Sequence, residues 1–156
     1  MLKKWLIILI LVLVVLYCAV WVYLLVRTYK SEHSDNQTLF LAGTVPSPLP
    51  DGFYKGTVNG YSGAWKGKVF NKLEQKGLNR IGDKDIYPFK TYETSGLRDP
   101  KLQVLRIDYN IPQNPWWLRC VTDEIVQIGP GQYLGKIMIR WIFGSTFTVG
   151  YFHLEK

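Results

Sequence analysis

The sequence predicts a mainly β protein: one N-terminal transmembrane helix, then a small antiparallel β-barrel or strongly bent sheet of about eight strands. Three observations carry that expectation. Residues 5–26 form an unbroken run of 22 residues with no charge, no proline and no glycine. Beyond Gly52, clusters of Gly, Pro, Asn and Asp recur at short intervals, the punctuation of hairpins. The segments between them are rich in Tyr, Trp, Val and Ile, residue types that fit a pleated, half-buried surface.

The apolar run comes first. At 1.5 Å per residue it makes a helix of about 33 Å, enough to cross a hydrocarbon core of about 30 Å. A cleaved secretory signal has a shorter apolar region, about 7–15 residues, and ends at small residues. Here Tyr17, Trp21 and Tyr23 stand around its far end. Tyr17 also fills the position before Cys18 where a lipoprotein signal takes a small residue. Residues 1–30 are therefore read as a retained single-pass anchor. Trp5 at one end and Trp21, Tyr23 and Tyr29 at the other suit the interfacial aromatic belts, and Lys3, Lys4, Arg27 and Lys30 can reach the phosphates on either side. Lys3, Lys4 and the terminal amine precede the helix. That balance favours a cytoplasmic N-terminus and an extracytoplasmic domain.

Residues 31–50 read as an extended stalk, because Pro46, Pro48 and Pro50 fix φ on alternate positions and exclude helix. Within it, residues 39–42 are apolar, a patch for the interface or for packing back on the domain. Residues 51–156 form the β domain, with strands expected at 53–58, 64–71, 86–94, 102–110, 116–121, 124–128, 133–143 and 147–154. Turns at 129–132 and 143–146 are hairpins, and 111–115 is a wider connection. Residues 72–85 read as a basic loop with a short helical turn. Alternation places Leu105, Ile107 and Tyr109 on one face and Val104, Arg106 and Asp108 on the other. On the next long strand Tyr133, Ile137, Ile139 and Trp141 oppose Lys136, Met138 and Arg140. About 105 residues can bury one core, and closure removes the exposed strand edges of so aromatic a sheet.

The net charge of +7 is concentrated in the anchor region. Residues 31–156 hold 15 Lys and Arg against 12 Asp and Glu, or +3. No basic stripe interleaves with a nucleic-acid-binding module, so no nucleic-acid partner is expected. Residues 55–90 carry a local +5, read as a solvated surface or as a face for anionic headgroups. Cys18 and Cys120 lie on opposite sides of the anchor boundary and are not expected to pair. Cys120 is read as a small hydrophobe, and no metal-ligand spacing occurs.

Gly63-Ala64-Trp65-Lys66-Gly67 resembles the G-x-W opening of lipocalin-like barrels of the calycin type. In that family the tryptophan plugs the closed end and packs against an arginine from a late strand. The resemblance implies structural roles for Gly63, Trp65 and Gly67, with Arg140 or Arg119 as the late cation, a stacking of about 0.5–2 kcal/mol. Nitrobindins, which are haem-binding barrels, open with a similar G-x-W-x-G pattern and carry a C-terminal ligating histidine. His153 occupies a comparable place, but one histidine makes no haem site, and no cofactor is expected.

Among the polar residues, Asp123 and Glu124 read as a solvent-facing turn. Arg106, Asp108 and Arg119, if Arg106 and Asp108 face inward, would form an internal network that braces the barrel or presents a guanidinium to an anionic headgroup. Residues 109–119 are the densest in unusual types. Tyr109, Trp116, Trp117 and Arg119 are the expected ligand-binding residues at a barrel mouth, with one indole entering the barrel and Arg119 sharing the face of Trp117. No nucleophile–base pair is readable, so an enzyme ranks last. Two readings remain: a membrane-anchored barrel binding an apolar or lipid-like ligand at the bilayer surface, and a non-enzymatic accessory subunit of a larger membrane protein complex.

Overall fold

The architecture follows from strand register. The computed structural model describes residues 2–141 and 144–156. After the helices α1 (Leu2–Glu32) and α2 (Asp35–Ala42) come β1 (Gly52–Thr57), β2 (Trp65–Asn71), β3 (Lys76–Ile81) and β4 (Lys84–Ser95). The chain continues with β5 (Gln103–Asp108), β6 (Val121–Gly129), β7 (Gln132–Arg140) and β8 (Thr146–Glu155). Each strand pairs antiparallel with the next, and β8 returns to β1 to close an eight-stranded barrel. The closing seam is short: Lys55, Gly56 and Thr57 face Glu155, Leu154 and His153. Most of β8 beyond Phe152 toward its start is therefore free of β1.

Period-2 alternation sorts the side chains. Tyr54, Phe70, Phe89, Leu105, Ile107, Tyr109, Ile125, Tyr133, Phe152 and Leu154 fill the interior. One end is sealed by edge-to-face rings, Tyr54 against Phe70 and Tyr133 at centroid distances of 5.8 and 5.2 Å, with Leu49 packed on the same core. Such offset aromatic contacts are preferred to stacked ones. A second cluster lies outside the barrel, where Phe40 of α2 covers Val104, Val126, Leu134 and Tyr151. That is why β6 is buried on both faces.

Three segments differ from expectation. Residues 76–81 form β3 and not a loop with a helical turn. Two of its three inward positions, Gly77 and Asn79, carry no apolar side chain, and only Ile81 does, so the strand lacks clear apolar alternation; a Cβ on Gly77 would overlap Phe89 and the Val69 carbonyl. Residues 116–120 form turns, not a strand, closed by Leu118 N–H to Pro115 O and Val121 N–H to Leu118 O at 3.0 and 2.9 Å. In the segment read as an extended stalk, residues 35–42 form helix α2, and Thr44 then bridges to Gln127. The prolines lie beyond the helix, so they do not oppose it.

Helix α1 is long and apolar enough to cross a membrane. Residues 3–20 are exposed along their whole length. Its last turns rest on the barrel: Trp21 packs edge-on to Phe147 at 5.1 Å, Arg27 Nε donates to Val149 O at 2.8 Å, and Thr148 donates to Glu32 at 2.9 Å. These contacts fall on residues 147–149, near the start of β8, and the helix is exposed from residue 20 back toward its own start.

Candidate functional site

The end of the barrel where β8 begins also carries the 58–64, 82–83 and 109–120 connections, and here the interior is not filled. A cavity of about 330 Å³ opens among Val58, Trp65, Tyr87, Trp117, Leu118 and Ile137, with Lys68, Asn79, Tyr109 and Asp123 in its lining. The walls are almost wholly carbon. The polar groups form a compact floor.

That floor is built by three strands and by Tyr109 just past β5. Lys68 shares the inward face of β2 with Phe70, and Asp123 shares that of β6 with Ile125. Lys68 is 2% exposed and its Nζ lies 2.9 Å from Asp123 Oδ2. It also donates to Asn79 Oδ1 at 3.0 Å and to the Tyr109 hydroxyl. The indole N–H of Trp65 donates to the same Asn79 oxygen at 3.0 Å. The rings of Phe89, Tyr109 and Phe152 surround the ammonium, with centroids 5.1–5.2 Å away. An ion pair this deep is tolerated because every donor of the lysine is matched. Burial pulls the Lys68 pKa below its ordinary value, with Asp123 opposing the shift. Burial, and then the Asp123 charge, push the Tyr109 phenol well above its usual range.

Of the expected binding residues, Tyr109 lies in the floor and Trp117 in the wall, its ring 6.0 Å from that of Tyr87. Trp116 is 83% exposed and outside the lining. Arg119 does not reach the mouth: its Nε donates to Asn114 O at 2.8 Å and another nitrogen to Pro112 O at 2.6 Å, bracing the 109–120 loop. No strand gives Trp117 and Arg119 a shared face there.

Trp65 packs against the core and on Phe152 at 5.4 Å. Gly67 lies at a bulge with φ of +135°, where a Cβ would overlap the Tyr54 carbonyl, so β1 approaches as only glycine allows. Gly63 lies in the preceding loop, beside the Tyr61 ring. Arg140 pairs with Asp108 at 3.1 Å on the outside, and the cation over Trp65 is Lys68, at 5.7 Å.

Other polar residues also fall differently from their reading. Arg106 and Asp108 face outward, and Arg106 pairs with Glu124 at 2.9 Å, so no internal Arg–Asp–Arg network forms. Asp123 and Glu124 are not a solvent-facing turn: both are buried in β6, one inside and one under the 96–102 loop, where Leu97 N–H donates to Glu124 at 2.8 Å. His153 stands on the outer face between the inward Phe152 and Leu154.

Lys68 is one of the basic residues of 55–90 read from the sequence as a solvated or headgroup-facing surface, and it is instead buried in the barrel; Asn79 has no sequence reading. Period-2 alternation from Phe70 would have placed Lys68 inside; nothing local marks Asn79.

A second cavity of about 640 Å³ lies between β2–β4 and the 111–113 segment. Its lysines, Lys76 and Lys90, are exposed. The first cavity carries the buried ionic floor and is taken as the candidate site. No protein-family model, curated protein or solved structure matches this chain. The fold and this site define an eight-stranded up-and-down barrel with an N-terminal helix of membrane-crossing length.

Proposed function

We propose that this chain is a membrane-anchored, lipocalin-like barrel that takes the apolar part of a lipid-like ligand through its open end. The observation that carries the reading is the cavity of about 330 Å³ walled by Trp65, Tyr87, Trp117, Leu118 and Ile137. Its size lies at the low end of small-ligand pockets, which span about 300–1,000 Å³ and combine apolar walls with a few placed polar groups. The path of α1 supports it. A helix anchored in the bilayer and leaving beside Phe147 brings the open end toward the membrane, where Val58, Tyr61, Trp116 and Trp117 are exposed around the rim. A ligand then passes between leaflet and cavity with little exposure to water.

The test is extraction of the full chain in mild detergent, with co-purified lipids and proteins identified by mass spectrometry. One lipid class is expected at near-equimolar ratio, and Ile137→Trp, which fills the cavity, should remove it while the barrel persists. A protein partner without lipid would overturn this reading in favour of the accessory-subunit one, for which the same aromatic rim is the supporting feature.

A further inference from the structure

The cavity floor is saturated at every polar atom but one. The three Lys68 protons go to Asn79 Oδ1, Asp123 Oδ2 and the Tyr109 oxygen. The amide hydrogens of Asn79 go to Tyr87 O and the Tyr109 oxygen, at 3.2 and 3.1 Å, and its Oδ1 takes both Lys68 and the Trp65 indole. Having accepted twice, the Tyr109 hydroxyl donates to Asp123 Oδ2 at 3.1 Å. Asp123 Oδ1 accepts no hydrogen bond among the described residues, in a side chain that lines the cavity.

The floor therefore presents an acceptor and no free donor, and its two formal charges cancel. A carboxylate entering it would bring a second negative charge beside Asp123 with no donor to meet it. A plain hydrocarbon would cut Oδ1 off from water and leave it unpaired, which costs more than the gain from an average hydrogen bond. A hydroxyl donates one hydrogen, adds no charge and satisfies the oxygen.

We propose that the cavity selects a neutral, hydroxyl-bearing lipid, its hydroxyl entering first and donating to Asp123 Oδ1, and that it rejects carboxylate heads. The proposal rests on the ligand-binding reading above and names its ligand class.

The experiment titrates 1-decanol, decane and decanoate at neutral pH into the full chain in phosphatidylcholine nanodiscs, with empty nanodiscs subtracted. The fluorescence of the wall indoles Trp65 and Trp117 reports occupancy. Decanol is expected to bind about tenfold more tightly than either other probe, the scale of one hydrogen bond to a charged acceptor. Asp123→Asn removes the negative charge that repels a carboxylate, so the discrimination against decanoate should be lost. Equal binding of decanol and decane, or a wild-type preference for decanoate, overturns the hydroxyl inference and leaves apolar binding standing. Binding of none of the three overturns the ligand reading itself. Where Asp123→Asn does not fold, the ranking on the unaltered chain decides alone.

Discussion

Lys136 Nζ, on the outer face of β7, lies 2.9 Å from Gln37 Oε1 on α2, 99 residues away in the chain. The same ammonium meets Asp99 Oδ2 at 2.8 Å, and the lysine is 0% exposed. One cation thus ties α2 and the 96–102 loop to the barrel wall, beside the apolar contact of Phe40 with Tyr151. Removing one member of a buried pair leaves its partners desolvated and costs about 3–5 kcal/mol. Lys136→Met is expected to lower stability by about 3 kcal/mol in denaturant titration. Amide exchange should rise most in residues 35–42. Unchanged protection there would show that Phe40 alone seats the helix.

Glu124 gives the fold a pH-dependent component whose sign can be worked out. Burial raises its pKa above the ordinary glutamate value, outweighing the Leu97 N–H and Arg106 that oppose the shift. Just above the unfolded value of about 4.5 the folded state then binds more protons than the unfolded one. Its contribution to stability is therefore most favourable at low pH and declines as pH rises through the folded pKa. Glu124→Gln mimics the neutral form. The stability of wild type minus that of the variant should fall between pH 4 and pH 7; a flat difference would mean that the Arg106 pairing cancels the burial.

The barrel itself was legible because Gly, Pro and Asn punctuation marks its turns whatever the packing inside. What escaped were positions where the inward residue is not apolar. β3 turns Gly77 and Asn79 inward, one for a close approach to Phe89 and one for the polar floor, and neither is a strand signal. The aromatic content of 116–121 read as a strand, yet its Trp117 and Leu118 carbonyls are taken by Cys120 and Val121 in local turns. Helix α2 buries one apolar side chain, Phe40, beside the polar Gln37, and so shows no apolar stripe. Of the site, Tyr109 and Trp117 were legible as unusual aromatics near a wide connection. The Lys68–Asp123 pair was not, because charges in a sequence read as surface until a partner 55 residues away is seen to match them.

Trp65 joins core to cavity, and its truncation should be felt in both. Gly56 lets the ring lie against β1, since a Cβ there would overlap the indole. Loss of a packed aromatic costs about 3–5 kcal/mol, and Trp65→Ala is expected near the lower figure because the ring is only partly buried. Gly56→Ala should displace the indole and cost about 1–3 kcal/mol, as overpacking does. A melting temperature unchanged in both variants would remove Trp65 from the structural core.

Trp116 makes the most direct claim about the membrane. It is 83% exposed and Trp117 49% exposed, on a loop held rigid by Asn114 to Pro88 O at 2.7 Å and by Arg119 to Pro112 O. A rigid loop presenting two indoles to water is a liability on a soluble surface, whereas tryptophan is favoured at the headgroup level of a bilayer. With the last barrel contact of α1 made by Trp21 at Phe147, near the start of β8, the proposed anchor would seat this loop in the leaflet it faces. In nanodiscs containing lipid with a quencher near the headgroup, wild-type emission should be quenched more than that of Trp116→Phe, and acrylamide in the water should show the smaller difference. The reverse pattern, with Trp116 reached by acrylamide and untouched by the lipid quencher, would place the loop in water and the mouth away from the bilayer. Since each bracing hydrogen bond runs from the Asn114 amide or the Arg119 guanidinium to a backbone carbonyl and none involves an indole, Trp116→Phe leaves the loop's support in place. The difference in quenching then reports the position of one side chain, not a change of fold.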